Sequence, residues 1–170
     1  MTRYLIPVVL VLAASSTGVA QDMPLAQILI DGEGWKKAEQ PKPRAAANGP
    51  VVTRSPDGSI TFRWVSAGRF VEARQTQAPD SQPYIDYCPL RPKYGETTIE
   101  VTGLTTDRDG RIYAATEIGV QVFDPTGRLC GVLTPAAPGK PKHLVFEGDQ
   151  LTLWIGDTKY TRKLNTAGTK

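Results

Sequence analysis

The chain has 170 residues, 20 Lys and Arg against 17 Asp and Glu, a net charge of +3 with its single His neutral, and 40% hydrophobic residues. That length supports one domain with a proper core and is short for two. The small basic excess is spread along the chain, which gives no electrostatic footprint for nucleic acid, and no run of the mature sequence approaches the roughly 20 apolar residues of a membrane span.

Residues 1–20 open with Arg3, run apolar from Tyr4 to Ala14 and end in Gly18-Val19-Ala20, the pattern of a secretory signal cleaved after Ala20. The apolar core from Leu5 to Ala14 is about half a membrane span, and Ser15-Ser16-Thr17 follows it; an uncleaved N-terminal anchor is the alternative. The expected location is secreted or periplasmic. Residues 21–47 form an N-terminal arm: a short apolar stretch from Leu25 to Ile30, read as a strand or arm, then Gly34-Trp35 and a basic, Pro- and Ala-rich loop from Lys36 to Ala47.

Residues 48–170 are the expected folded domain, a succession of short β-rich runs broken by turn residues. Val51 to Arg54, Ser59 to Val65 and Arg69 to Arg74 are separated by Ser55-Pro-Asp-Gly58 and Ser66-Ala-Gly68, and Tyr84 to Cys88 is strand-like as well. Ile99 to Thr106, Arg111 to Thr116, Gly119 to Asp124 and Arg128 to Leu133 follow, with Asp107-Arg-Asp-Gly110 and Pro125-Thr-Gly127 as turns. Four such strands joined by hairpins make one antiparallel sheet of propeller-blade size. His143 to Phe146, Leu151 to Ile155 and Lys159 to Leu164 give most of another blade. The expected fold is all-β, built of about three antiparallel four-stranded blades, with a generic antiparallel sandwich as the alternative.

Candidate chemistry is sparse. Cys88 and Cys130 survive export and are read equally as a disulfide or as free thiols; no Cys or His neighbour completes a zinc set. His143, at the start of a strand after Pro141-Lys142, is expected at the surface. Asp107-Arg-Asp109-Gly110 resembles the opening of a calcium loop without its later ligands, and a hairpin turn explains it fully. Trp35, Trp64, Tyr84, Tyr87, Tyr113 and Trp154 are read as sheet-packing residues, with a sugar platform as the alternative.

Thr102-Gly-Leu-Thr-Thr-Asp-Arg-Asp-Gly-Arg-Ile-Tyr-Ala-Ala-Thr, Gly119-Val-Gln-Val-Phe-Asp-Pro-Thr-Gly-Arg-Leu, Phe146-Glu-Gly-Asp and Leu151-Thr-Leu-Trp-Ile stand in the order of later blades of the gluconolactonase/regucalcin (senescence marker protein) family, which residues 102–164 resemble. Asn48-Gly-Pro-Val-Val-Thr-Arg-Ser-Pro-Asp-Gly-Ser-Ile-Thr-Phe resembles the family's first-blade segment. The resemblance implies part of a six-bladed propeller that hydrolyses sugar lactones with a divalent metal, commonly calcium. It also implies where the metal ligands stand. The acidic ligand of the family's Glu-Gly-Pro is replaced by Asn48, the carboxylate of its late Asp-Gly, metal ligand and base, is replaced by Thr102, and the Asn of its middle blades has no counterpart. Asp107 and Asp109 are poor substitutes. An amide and a hydroxyl make a much weaker site for a hard cation than carboxylates do, so metal-assisted hydrolysis is expected to be weak or lost.

Two function classes follow: a sugar-lactone hydrolase, or a non-catalytic binding or assembly module of the cell envelope. About three blades cannot close a six-bladed ring, and apolar faces are expected at the open ends. The expectations for that shortfall are a homodimer of half-rings, a non-ring packing in which residues 21–47 cover an open face, or a truncated gene product.

Overall fold

The computed structural model describes residues 23–39 and 51–169. The expected signal in residues 1–20 and the candidate ligand Asn48 lie outside the described residues. Among the described residues, twelve strands follow a short 3-10 turn, Leu25–Gln27. They are β1 (Lys36–Ala38), β2 (Val51–Arg54), β3 (Ile60–Trp64), β4 (Phe70–Gln75), β5 (Ile85–Pro89), β6 (Gly103–Thr106), β7 (Ile112–Thr116), β8 (Gly119–Phe123), β9 (Leu129–Leu133), β10 (Pro141–Glu147), β11 (Gln150–Ile155) and β12 (Thr158–Lys163). They form three four-stranded antiparallel sheets, ordered β2-β3-β4-β5, β6-β7-β8-β9 and β1-β12-β11-β10. These are blades one, two and three.

The hairpins follow from their turn chemistry. Asp57 Oδ1 accepts from the Ser59 N–H and from the Ser55 hydroxyl, and Asp124 Oδ1 accepts from the Thr126 and Arg128 N–H groups. Each carboxylate satisfies turn donors that the strands cannot reach. Gly127, at φ +84° with no room for a Cβ against the Tyr87 carbonyl, completes the second of these turns.

Blade two is covered on both faces, and its residues divide accordingly. Ile112, Ala114 and Phe123 join Phe62, Trp64, Val71 and Cys88 in a core against blade one. Tyr113, Ala115, Val120 and Val122 join Leu144, Leu151, Leu153 and Ile28 in a second core against blade three. Every residue of β7 and β8 is buried, which is why these strands read as continuous apolar runs with little alternation. β6 lies between β2 and β10. At Gly103 a Cβ would stand 2.7 Å from the Leu144 Cβ and backbone nitrogen, so only glycine permits this spacing of β6 and β10.

The N-terminal segment departs from the expected arm and loop. Leu25 packs against Gly131, the Ile28 side chain is buried in the second core, and Trp35 Nε1 donates to the Thr134 carbonyl at 2.8 Å. Lys36, Lys37 and Ala38, read from sequence as the start of a loop, pair with Thr161, Tyr160 and Lys159. They supply the fourth strand that blade three lacks in its own stretch of sequence.

The expected open apolar face is absent from the outer side of blade one. There Arg63 Nε donates to Glu72 Oε2 at 2.8 Å, and the guanidinium carbons of Arg63 and Arg74 lie 3.6 and 4.6 Å from the Tyr84 ring centroid. A polar outer face is what allows the last member of a stacked array to meet water. Among the described residues, the large hydrophobics left exposed are Val52, Ile85 and Tyr94.

Candidate functional site

A cleft of about 620 Å³ opens at the end of the blades where the β5–β6 connection, the β3–β4 and β7–β8 turns and the start of β10 meet. Its apolar wall includes Val51, Trp64 and Val101, and its charged rim carries Arg91, Glu117 and Lys140. That size lies within the ordinary range for a small-molecule site.

The charges have specific partners. Lys140 Nζ lies 3.2 Å from Glu100 Oε2 and 3.4 Å from Glu117 Oε1, and these contacts raise its pKa, the Glu100 hydrogen bond most. Lys93 pairs with Glu96 at 3.5 Å. Arg91 is fixed through its backbone: its N–H donates to Gln121 Oε1 and its carbonyl accepts from Gln121 Nε2, both at 2.9 Å. Gln121 is fully buried, and its Nε2 also lies 3.2 Å from Thr116 Oγ1.

Thr102 leads directly into β6, beside the cleft-lining Val101, and its Oγ1 is buried without a hydrogen-bond partner. Asp107 and Asp109 stand at the opposite end of blade two. Asp107 Oδ1 accepts from the Asp109 and Arg111 N–H groups at 3.0 and 2.9 Å, and Oδ2 accepts from Arg111 Nη1 at 3.2 Å and the Tyr113 hydroxyl at 2.8 Å. Asp109 Oδ2 accepts from Arg111 Nη1 at 3.0 Å and from the Thr166 hydroxyl at 3.2 Å. Both carboxylates are thus committed to the turn between β6 and β7, as the hairpin reading of Asp107-Arg-Asp109-Gly110 expects.

No group of three or more His, Cys, Asp or Glu suited to a metal occurs among the described residues. A hard divalent cation takes several oxygen ligands, carboxylates among them. Thr102 brings a neutral hydroxyl and does not line the cleft, while the cleft's Glu100 and Glu117 are held by Lys140. These residues do not fit the calcium implied by the family resemblance.

The remaining candidates disperse. His143 is exposed, with its ring 5.3 Å from that of Trp154, and does not line the cleft. Of the six aromatics named from sequence, only Trp64 lines it; Tyr113 is core, and the Tyr87 hydroxyl donates to the Pro125 carbonyl. Cys88 and Cys130 are both thiols, and no disulfide joins them. Burial, and secondarily the Asp124 charge, pushes the Cys88 thiol up to about 12.

Arg91, Gln121 and Lys140 were missed from sequence. Gln121 had a signal: it interrupts the apolar run Gly119-Val-Gln-Val-Phe123, and a lone amide in a strand buried on both faces must have a partner. Arg91 and Lys140 sit in loops, where nothing local distinguishes them from solvated charges.

With the blades and cleft described, comparison with solved structures defines the fold class. A structural-genomics structure described as a gluconolactonase superposes with a TM-score of 0.58 at 20% identity, over 71% of this chain and 40% of that one. A gluconolactonase from Xanthomonas campestris gives 0.55 at 20% identity, again over 71% and 40%. Regucalcin from Agrobacterium tumefaciens, a calcium-binding protein, gives 0.50 at 15% identity over 70% and 46%. The fold is therefore that of blades from a gluconolactonase/regucalcin-type β-propeller, and the chain spans less than half the length of each of these structures. No protein-family model and no curated protein matches the sequence.

Proposed function

We propose that the chain is an exported, gluconolactonase/regucalcin-like module that binds a small polar ligand in the blade-end cleft and hydrolyses lactones weakly or not at all. One observation carries this: the cleft's Glu100 and Glu117 converge on Lys140, so its carboxylates are neutralised by a protein cation where a metal-dependent hydrolase needs them turned toward a metal. Thr102, where the family resemblance places the ligand and base, carries a buried hydroxyl that has no hydrogen-bond partner and does not line the cleft. Export is supported by the signal pattern of residues 1–20.

The fold likeness favours a second reading, calcium-dependent hydrolysis of a sugar lactone. Gluconolactone hydrolysis followed by acid release, with and without calcium, separates the two. No turnover above the uncatalysed rate and no calcium-dependent rise in melting temperature are expected; calcium-dependent turnover overturns the binding-module proposal.

A further inference from the structure

The cleft's cations are not equally satisfied. Lys93 and Lys140 each face a carboxylate, whereas Arg91 has no ion-pair partner among the described residues. Arg91 is exposed and lines the cleft, yet its backbone is clamped on both sides by a fully buried amide. Burying Gln121 costs free energy that its hydrogen bonds must offset. Those bonds fix the Cα from which the Arg91 side chain departs, and so the region of the cleft its guanidinium can reach. A guanidinium presents parallel donors that match the two oxygens of a carboxylate. Glu100 and Glu117 accept hydrogen bonds and Lys140 donates them, a set suited to hydroxyl groups.

Resting on the reading of this cleft as a binding site, we infer that its ligand is a small hydroxycarboxylate. The carboxylate sits on Arg91, the hydroxyls meet Glu100, Glu117 and Lys140, and Gln121 is a positioning residue acting through Arg91.

Calorimetric titration of the purified protein with four probes tests this. Malate against succinate isolates the hydroxyl, and gluconate against glucitol isolates the carboxylate. Malate and gluconate should each bind at least about tenfold more tightly than their counterparts, and Arg91→Met should weaken both by about 10- to 100-fold, the range for a charge-assisted hydrogen bond. Arg91→Lys should fall between. Arg108→Met, in the turn at the far end of blade two, should change nothing. In folded Gln121→Asn, discrimination between gluconate and glucitol should shrink while glucitol affinity holds; a purely structural role would leave the discrimination intact. Equal binding of gluconate and glucitol, binding indifferent to Arg91→Met, or no binding of any probe overturns the inference. Calcium-dependent lactone turnover by the unmodified protein would instead overturn the proposed function, and the Arg91 comparison could still be read on its own.

Discussion

The carboxylate of Asp107 receives the Tyr113 hydroxyl at 2.8 Å with both residues entirely out of water. Arg111, only 3% exposed, completes the cluster and reaches Gln27 Oε1 at 3.1 Å, while the neighbouring Arg108 N–H donates to the Ala167 carbonyl. One turn of blade two thereby holds the N-terminal arm and the segment after β12. Asp107→Ala leaves the Arg111 charge short of its buried partner and should cost about 3 to 5 kcal/mol, the range for breaking a buried pair. Tyr113→Phe removes one hydrogen bond and should cost about 1 to 2 kcal/mol. Urea unfolding of the two variants checks the order.

Acid should loosen the hairpins. Hydrogen bonds from Ser55 and Ser59 lower the Asp57 pKa to about 2. At Asp124 burial opposes ionisation, but the hydrogen bonds of Thr126 and Arg128 outweigh it and the pKa is lowered. Both groups bind protons more readily when unfolded, near pH 3.9, so their stabilisation is present above about pH 4 and is lost as pH falls toward the folded values. Thermal melts between about pH 5 and 2 should show the loss, and Asp57→Asn with Asp124→Asn should flatten it.

The two thiols should react in sequence. Cys130 is half-buried on β9 and Cys88 has no exposed surface. Iodoacetamide at pH 8 should modify Cys130 in the native protein and Cys88 only on unfolding. Because the folded Cys88 pKa lies above the unfolded value near 8.5, its contribution is intact below about pH 8.5 and declines as pH rises toward 12. A melting temperature that falls in alkali less for Cys88→Ala than for the unmodified protein would confirm this.

Molar mass in solution should be that of a monomer. Pairing half-rings through the outer face of blade one would bury Arg63, Glu72 and Arg74, whose desolvation works against association. Light scattering across a concentration series checks it, and a concentration-dependent dimer would restore the half-ring arrangement.

Blade two was legible almost strand for strand, because Asp107-Arg-Asp-Gly and Asp124-Pro-Thr-Gly mark its turns and its apolar runs have strand length. β1 was illegible for the opposite reason: Lys36-Lys37-Ala38 has no strand preference of its own and is extended because the edge of β12 is there to receive it. The polar outer face of blade one has a signal in the sequence: Arg63, Glu72 and Arg74 alternate with Phe62, Trp64, Val71 and Ala73, the pattern of a sheet covered on one side. At the site, the Arg91 and Gln121 contact joins residues 30 apart in sequence, which pattern alone does not pair.

Pairing β1 with β12 also sets an order of assembly. Lys36 meets Thr161 across nearly the whole domain, so blade three cannot gain its outer strand until β12 is available, whereas each hairpin of blade two can close on its own neighbours. Long-range strand pairing is slow, and the arm is therefore the natural final step of folding. A refolding experiment following Trp35, which docks with that arm, should record a later phase than one following Trp64 in the core between blades one and two.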